Sequence, residues 1–171
     1  MSKYLPIEKF VYVTRLRPDE VLDRLESVTE PRKNLRIGVF SLFSADRHRE
    51  YEGEIRENAF RISRIIYYRN SFLPTIQGSV SEDDGRTLIR VKMQLNDFVK
   101  VFVIIWMSLV SIAVIGMTLA VLTSRTFHPT LLIPYGMWVF GYLLTVVAFK
   151  LEALKSKRFF ATLLQAEIEE N

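Results

Sequence analysis

Up to Lys100 the chain is dominated by alternation of apolar and polar residues. Tyr51, Gly53 and Ile55 alternate with Glu52, Glu54 and Arg56, and Ile76, Gly78 and Val80 with Thr75, Gln77 and Ser79. Ile89, Val91, Met93 and Leu95 alternate in the same way with Arg90, Lys92 and Gln94. Successive side chains of a strand point to opposite faces, so each run predicts a strand with one dry and one wet side. Ala59 to Tyr68 starts in phase with Phe60 and Ile62 and slips near Arg64, which predicts a β-bulge there. Glu57-Asn58 and Asp84-Gly85 supply turns, the second a strong short hairpin signal.

Phe10 to Leu16, rich in β-branched and aromatic residues, predicts a further strand. Pro18 then opens a short amphipathic helix with Val21, Leu22, Leu25 and Val28 on one side. Asp19 and Glu20 favour its first turn and Pro31 follows its end. Leu35 to Phe43 fits either a strand or a buried connection, and the pattern leaves the two open.

At Val101 the periodicity stops. Val101 to Ser124 is 24 residues without a charge, where a helix needs about 20 to cross the hydrocarbon core. A short link with Arg125 and His128 leads to 21 more uncharged residues, Pro129 to Phe149. Two such runs in a chain of 171 residues leave no partner surface large enough to bury them, so they predict a transmembrane hairpin. Pro134 and Gly136 predict a kink in its second helix. A last amphipathic helix, Leu151 to Glu170, is expected to place Leu151, Leu154, Phe160, Leu163, Leu164 and Ile168 along one side.

The expected class is α+β. A strand-rich antiparallel meander occupies residues 1–97, a two-helix transmembrane hairpin residues 98–149, and a C-terminal amphipathic helix residues 150–171. The order of strand, helix, meander and closing helix resembles the START-like helix-grip fold with a hairpin inserted, an architectural analogy that carries no function.

Charge refines this layout. The net charge of +4 does not imply nucleic acid, because before Phe98 there are 17 Lys and Arg interspersed with 15 Asp and Glu. Lys92 and Lys100 precede the first span, Lys150, Lys155, Lys157 and Arg158 follow the second, and Arg125 alone lies in the link. Positive residues stay inside, so the expectation is a multi-pass cell-membrane protein with both termini cytoplasmic. The same four residues after the second span are expected to contact anionic lipid. The start lacks a secretory h-region, so the chain is expected to keep its first residues. Cysteine is absent, which excludes disulfides and thiolate chemistry.

Gly116 with Ala120, and Gly141 with Thr145, are small pairs four apart that let helix backbones approach, within the hairpin or between copies. Neither span holds Asp, Glu, Lys or Arg, which argues against an ion-coupled pump. Asp46 to Glu50 carries a histidine without a second ligand at zinc spacing, and Glu82-Asp83-Asp84 lacks the calcium-loop pattern, so neither metal nor cofactor is expected. No phosphate-loop, dinucleotide, nucleophile-elbow or zincin motif is present, and no enzyme is expected.

Tyr68 to Gly78, YRNSFLPTIQG, followed by Gly85 to Leu95, GRTLIRVKMQL, resembles a family of small uncharacterised bacterial membrane proteins with two C-terminal transmembrane helices. The resemblance covers about a third of the chain and implies the layout, with no activity or catalytic residue. Read directly, Arg69, Asn70 and Ser71 form a polar knot before Pro74, a turn by its chemistry, with Arg69 and Asn70 as candidate ligand contacts.

Two functions remain open at this point. One is a membrane-anchored β-rich binding or sensory module for an apolar or lipid ligand, its meander closed by a helix into a cavity. The other is a structural or assembly subunit that joins a membrane-protein partner or its own copies. A nucleotide-triggered effector has no motif behind it.

Overall fold

The computed structural model describes residues 5–31, 49–66, 70–124 and 129–169. The uncertain segment Leu35 to Phe43, the Asp46-Arg47-His48 cluster, Arg69, and the link with Arg125 and His128 lie outside them. The elements are β1 (Ile7–Thr14), α1 (Pro18–Val28), β2 (Thr29–Pro31), β3 (Tyr51–Arg56), β4 (Ala59–Arg64), β5 (Pro74–Asp83), β6 (Arg86–Leu95), α2 (Asp97–Ser124), α3 (Leu132–Leu163) and β7 (Glu167–Glu169). A single 3-10 turn, Pro129–Leu131, precedes α3.

The strands form one mixed sheet in the order β2-β3-β4-β5-β6-β1-β7. The predicted meander is its centre, β3 to β6, paired antiparallel in the register the alternation implies. Asp84 and Gly85 both take positive φ, as a two-residue hairpin demands. Two features depart from a pure meander: β2 runs parallel to β3, and the short β7 pairs with β1. No bulge accounts for the phase slip at Arg64. The strand ends there, after one further ladder bond from Ile65 N to Glu50 O of 2.8 Å.

One face of the sheet is dry. Phe10, Tyr12, Ile62, Ile76, Ile89 and Met93 are each at most 2% exposed. Val21 and Leu25 of α1 and Phe149, Ala153 and Phe160 of α3 close over them. Gly78 is required by this packing, because Phe60 lies against it and a Cβ there would overlap the ring. Arg49 donates to the carbonyls of Glu26 at 2.7 Å and Thr29 at 2.6 Å, capping the end of α1.

α2 and α3 are long and apolar enough to cross a membrane, and only 6% and 11% of their most apolar stretches are buried. Ile104, Ile112, Ile115, Leu122, Phe140 and Val147 all face outward. An apolar patch of this extent is not left in water. Pro134 lies in the first turn of α3, where its missing N–H removes no helical bond.

The expected break at Lys150 does not occur. α3 runs without interruption from its apolar half onto the sheet, so the predicted separate terminal helix is the last part of the second long one. Its buried side is the predicted one only in part: Phe160 is buried and Leu163 and Ile168 pack partly against the core, but Leu151 and Leu154 are exposed, and Phe149, Glu152, Ala153, Ser156 and Lys157 face inward in their place. The helix closes with Gln165 at positive φ and Ala166 N bonded to Ala161 O at 3.0 Å, a Schellman-type end that turns the chain into β7. Leu164 is buried, as expected.

Candidate functional site

Among the described residues, buried side chains of the sheet, α1 and α3 pack against one another, and two cavities lie outside that core. The largest described, 760 Å³, is where the sheet meets the apolar helices. Glu52 on β3, Ser63 and Arg64 at the end of β4, Thr75 on β5, Asn96 and Ser71 give it polar walls, and Phe98, Val99 and Phe102 of α2 give it an apolar floor. Adjoining it is a groove of 390 Å³ between α2 and α3, lined by Phe102, Trp106, Met107, Phe140, Gly141 and Leu144. Phe72 and Phe102 belong to both, so the two spaces are continuous in composition from polar to apolar.

Local chemistry places Phe72 there. Asn70 Oδ1 accepts a hydrogen bond from Phe72 N at 3.0 Å, an Asx turn that folds the chain back before Pro74 starts β5. Asn70, a candidate ligand contact, therefore acts through the turn. Asn96 does the equivalent for α2, accepting from Phe98 N at 3.0 Å as its N-cap. Gly141 faces the indole of Trp106, where a Cβ would stand in ordinary contact 3.4 Å from Trp106 Nε1. Arg64 is held from behind by Glu152 at 3.3 Å, a carboxylate only 5% exposed that also receives Lys155 at 2.9 Å.

The hairpin itself is held by polar pairs that sequence spacing did not single out. Trp138 Nε1 donates to Ser111 Oγ at 3.0 Å, and Thr118 Oγ1 and Tyr135 OH lie 2.6 Å apart. Gly141 and Thr145 face the groove, with Thr145 buried, whereas Gly116 has nothing within 4 Å of a Cβ and Ala120 is exposed.

Of the four expected lipid-contacting cations, two are turned toward protein. Lys157 is 7% exposed, with its ammonium 4.7 Å from the centre of the Phe10 ring. Lys150 is partly buried in its pair with Glu8, whereas Lys155, paired with Glu152, and Arg158 are exposed. Tyr12 donates to Lys157 O at 2.8 Å, and burial pushes its phenol well above the ordinary range, Tyr51 and Glu8 adding to the shift. Tyr51 is shifted the same way by burial.

Among the described residues no three His, Cys, Asp or Glu gather to hold a metal ion, and nothing in the site indicates catalysis. Sequence reasoning missed Phe72, Phe102 and Trp106. Asn two places before an aromatic was the available signal for the first. No family model, curated protein or solved structure matches the chain.

Proposed function

We propose that this chain is a membrane-anchored, β-rich binding module for an amphiphile. The ligand's tail lies between α2 and α3 and its polar end against Arg64, Ser63, Thr75 and Asn96. The observation that carries this reading is the pair of spaces, 760 and 390 Å³, one polar-walled and one apolar, that share Phe72 and Phe102. Binding sites are commonly apolar clefts with a few convergent polar groups, and these spaces divide in that way. The chain is read as multi-pass, with the sheet and both termini cytoplasmic, on the charge asymmetry of the loops. The helix-grip order and membership of the bacterial two-span family belong to the same reading.

A photoactivatable acyl probe tests it in reconstituted full-length protein. Labelling should concentrate on the peptide carrying Trp106 and Met107, and Gly141→Leu, which fills the groove, should lower it severalfold. Labelling spread evenly over the groove and the outward residues Ile112 and Ile115 would mean that bulk lipid alone is being sampled, and would overturn the reading.

The second reading, an assembly subunit, is favoured by the unoccupied surface around Gly116 on α2. Cross-linking in native membranes addresses it, and recovery as a monomer alone would count against it.

A further inference from the structure

The open face of the sheet carries a feature that the junction does not use. Lys9 on β1 stands directly opposite Lys92 on β6, and Lys92 directly opposite Gln77 on β5. One step along the ladder, Arg90 is opposite Ser79. These five side chains line a concavity of 380 Å³ into which no carboxylate projects. The cavities toward either end of the sheet differ in this respect, since Glu52 and Glu54 line one and Glu167 the other.

Like charges directly opposite on neighbouring strands destabilise a sheet. Elsewhere the chain avoids the problem: Glu8, the neighbour of Lys9, is paired with Lys150 on the other face, and Arg61 reaches Asp97 at 3.7 Å. Among the described residues, Lys9 and Lys92 have neither a hydrogen bond nor an ion pair within 4 Å, Lys92 acting only at longer range to help hold the Asp97 carboxyl below its ordinary range after Lys100 and Arg61, and Arg90 reaches only the hydroxyl of Ser81 at 3.1 Å. A cluster of three cations with two neutral donors, on a rigid central part of the sheet, is complementary to a multiply charged oxyanion.

We infer that this concavity binds a phosphate group through Lys9, Lys92 and Arg90, with Gln77 and Ser79 as neutral donors. Lys92 lies five residues before the start of α2 at Asp97, about 16 Å along an extended strand. The group can thus come from an anionic lipid headgroup beside the domain or from a soluble phosphorylated molecule. The chemistry recognised is the same, and the site is independent of the junction cavities.

The test uses the full chain in phosphatidylcholine nanodiscs, titrated calorimetrically with inorganic pyrophosphate. A second arm uses nanodiscs with phosphatidylglycerol and counts the anionic lipids retained by the protein in native mass spectrometry. Binding in the first arm that weakens about tenfold or more in Lys9→Gln and Lys92→Gln, but not in Lys92→Arg or the off-site Arg17→Gln, supports a soluble phosphate ligand. Retention of phosphatidylglycerol in the second arm alone, lost in the same two variants, supports a headgroup. Melting of each variant without ligand gives an independent reading, because relief of the lysine pair should raise the transition by a few degrees at most, about 1–4 °C. Absence of binding in both arms, or binding that the two glutamine variants leave unchanged, overturns the proposal.

Discussion

Lys150 and Glu8 form an ion pair of 2.9 Å that ties the end of the apolar stretch of α3 to the first strand of the sheet. Their side chains are 25% and 8% exposed, so the carboxylate depends on this partner for most of its solvation. Lys150→Met should destabilise the sheet domain by about 2–4 kcal/mol, because an uncompensated buried charge remains. Glu8→Gln combined with Lys150→Met should recover a large part of that loss. Thermal unfolding of the four proteins in detergent gives the cycle, and additive effects would show that the pair is not coupled.

Gly78 and Phe60 provide a packing test. Gly78→Ala forces the Phe60 ring off the sheet and should cost about 1–3 kcal/mol, as overpacking does. Phe60→Leu in the same chain should remove most of that extra cost. A Gly78→Ala protein as stable as wild type would mean that the ring is free to move aside.

Leu164, at 1% exposure, should lose about 2–4 kcal/mol on truncation to Ala, whereas Leu151, exposed on the other side of α3, should lose under about 0.5. Leu164→Asp should cost more again, through an unpaired buried charge. Protease sensitivity of the strands follows the same order if the end of α3 is an integral part of the domain. Equal melting of both alanine variants would mean that this part of the helix is detached.

Much of this arrangement was legible in the sequence, and the exceptions share a cause. β3, β5 and β6 follow from alternation, and α1 from its proline and spacing, because each meets one partner surface along its whole length. α3 does not. Its first half is apolar and exposed and its second half packs on the sheet, so hydropathy falls at Lys150 although the backbone continues. Leu151 and Leu154 looked like core because apolar residues near that change occur on every side of the helix. β7, an isoleucine between glutamates, resembles a solvated helix end until β1 is beside it. The facing of Lys9 and Lys92 needed the β1–β6 register, which no local pattern supplies.

Alkaline pH should expose the buried phenols. The Tyr12 phenol is raised in the folded protein by burial, while in the unfolded chain it ionises near 10. The unfolded state therefore gives up its proton first. The contribution of Tyr12 is complete below about pH 10 and declines as pH climbs toward the raised folded value. Tyr12→Phe should lower the melting temperature at pH 8, through loss of the bond to Lys157 O, and flatten its fall between about pH 10 and 11. Parallel pH profiles for wild type and variant would contradict this.

Single cysteines report sidedness cleanly, because the chain has none of its own. Introduced at Arg17 and Glu169 they should resist an impermeant maleimide in intact cells, and at Thr130 they should react. Labelling of either of the first two positions without permeabilisation would reverse the proposed topology.

The absence of any break in α3 makes it one rod about 48 Å long. Lys150, Glu152, Tyr12 and Leu164 fasten its far half to the sheet, so the strands turn with it. About 21 Å of rod lies beyond Phe149, and a 10° change in tilt therefore carries Leu163 sideways by roughly 4 Å. Hydrophobic spans tilt as the surrounding bilayer thins or thickens. Were the apolar half of α3 set in a bilayer, a change in bilayer thickness would tilt the whole sheet with it.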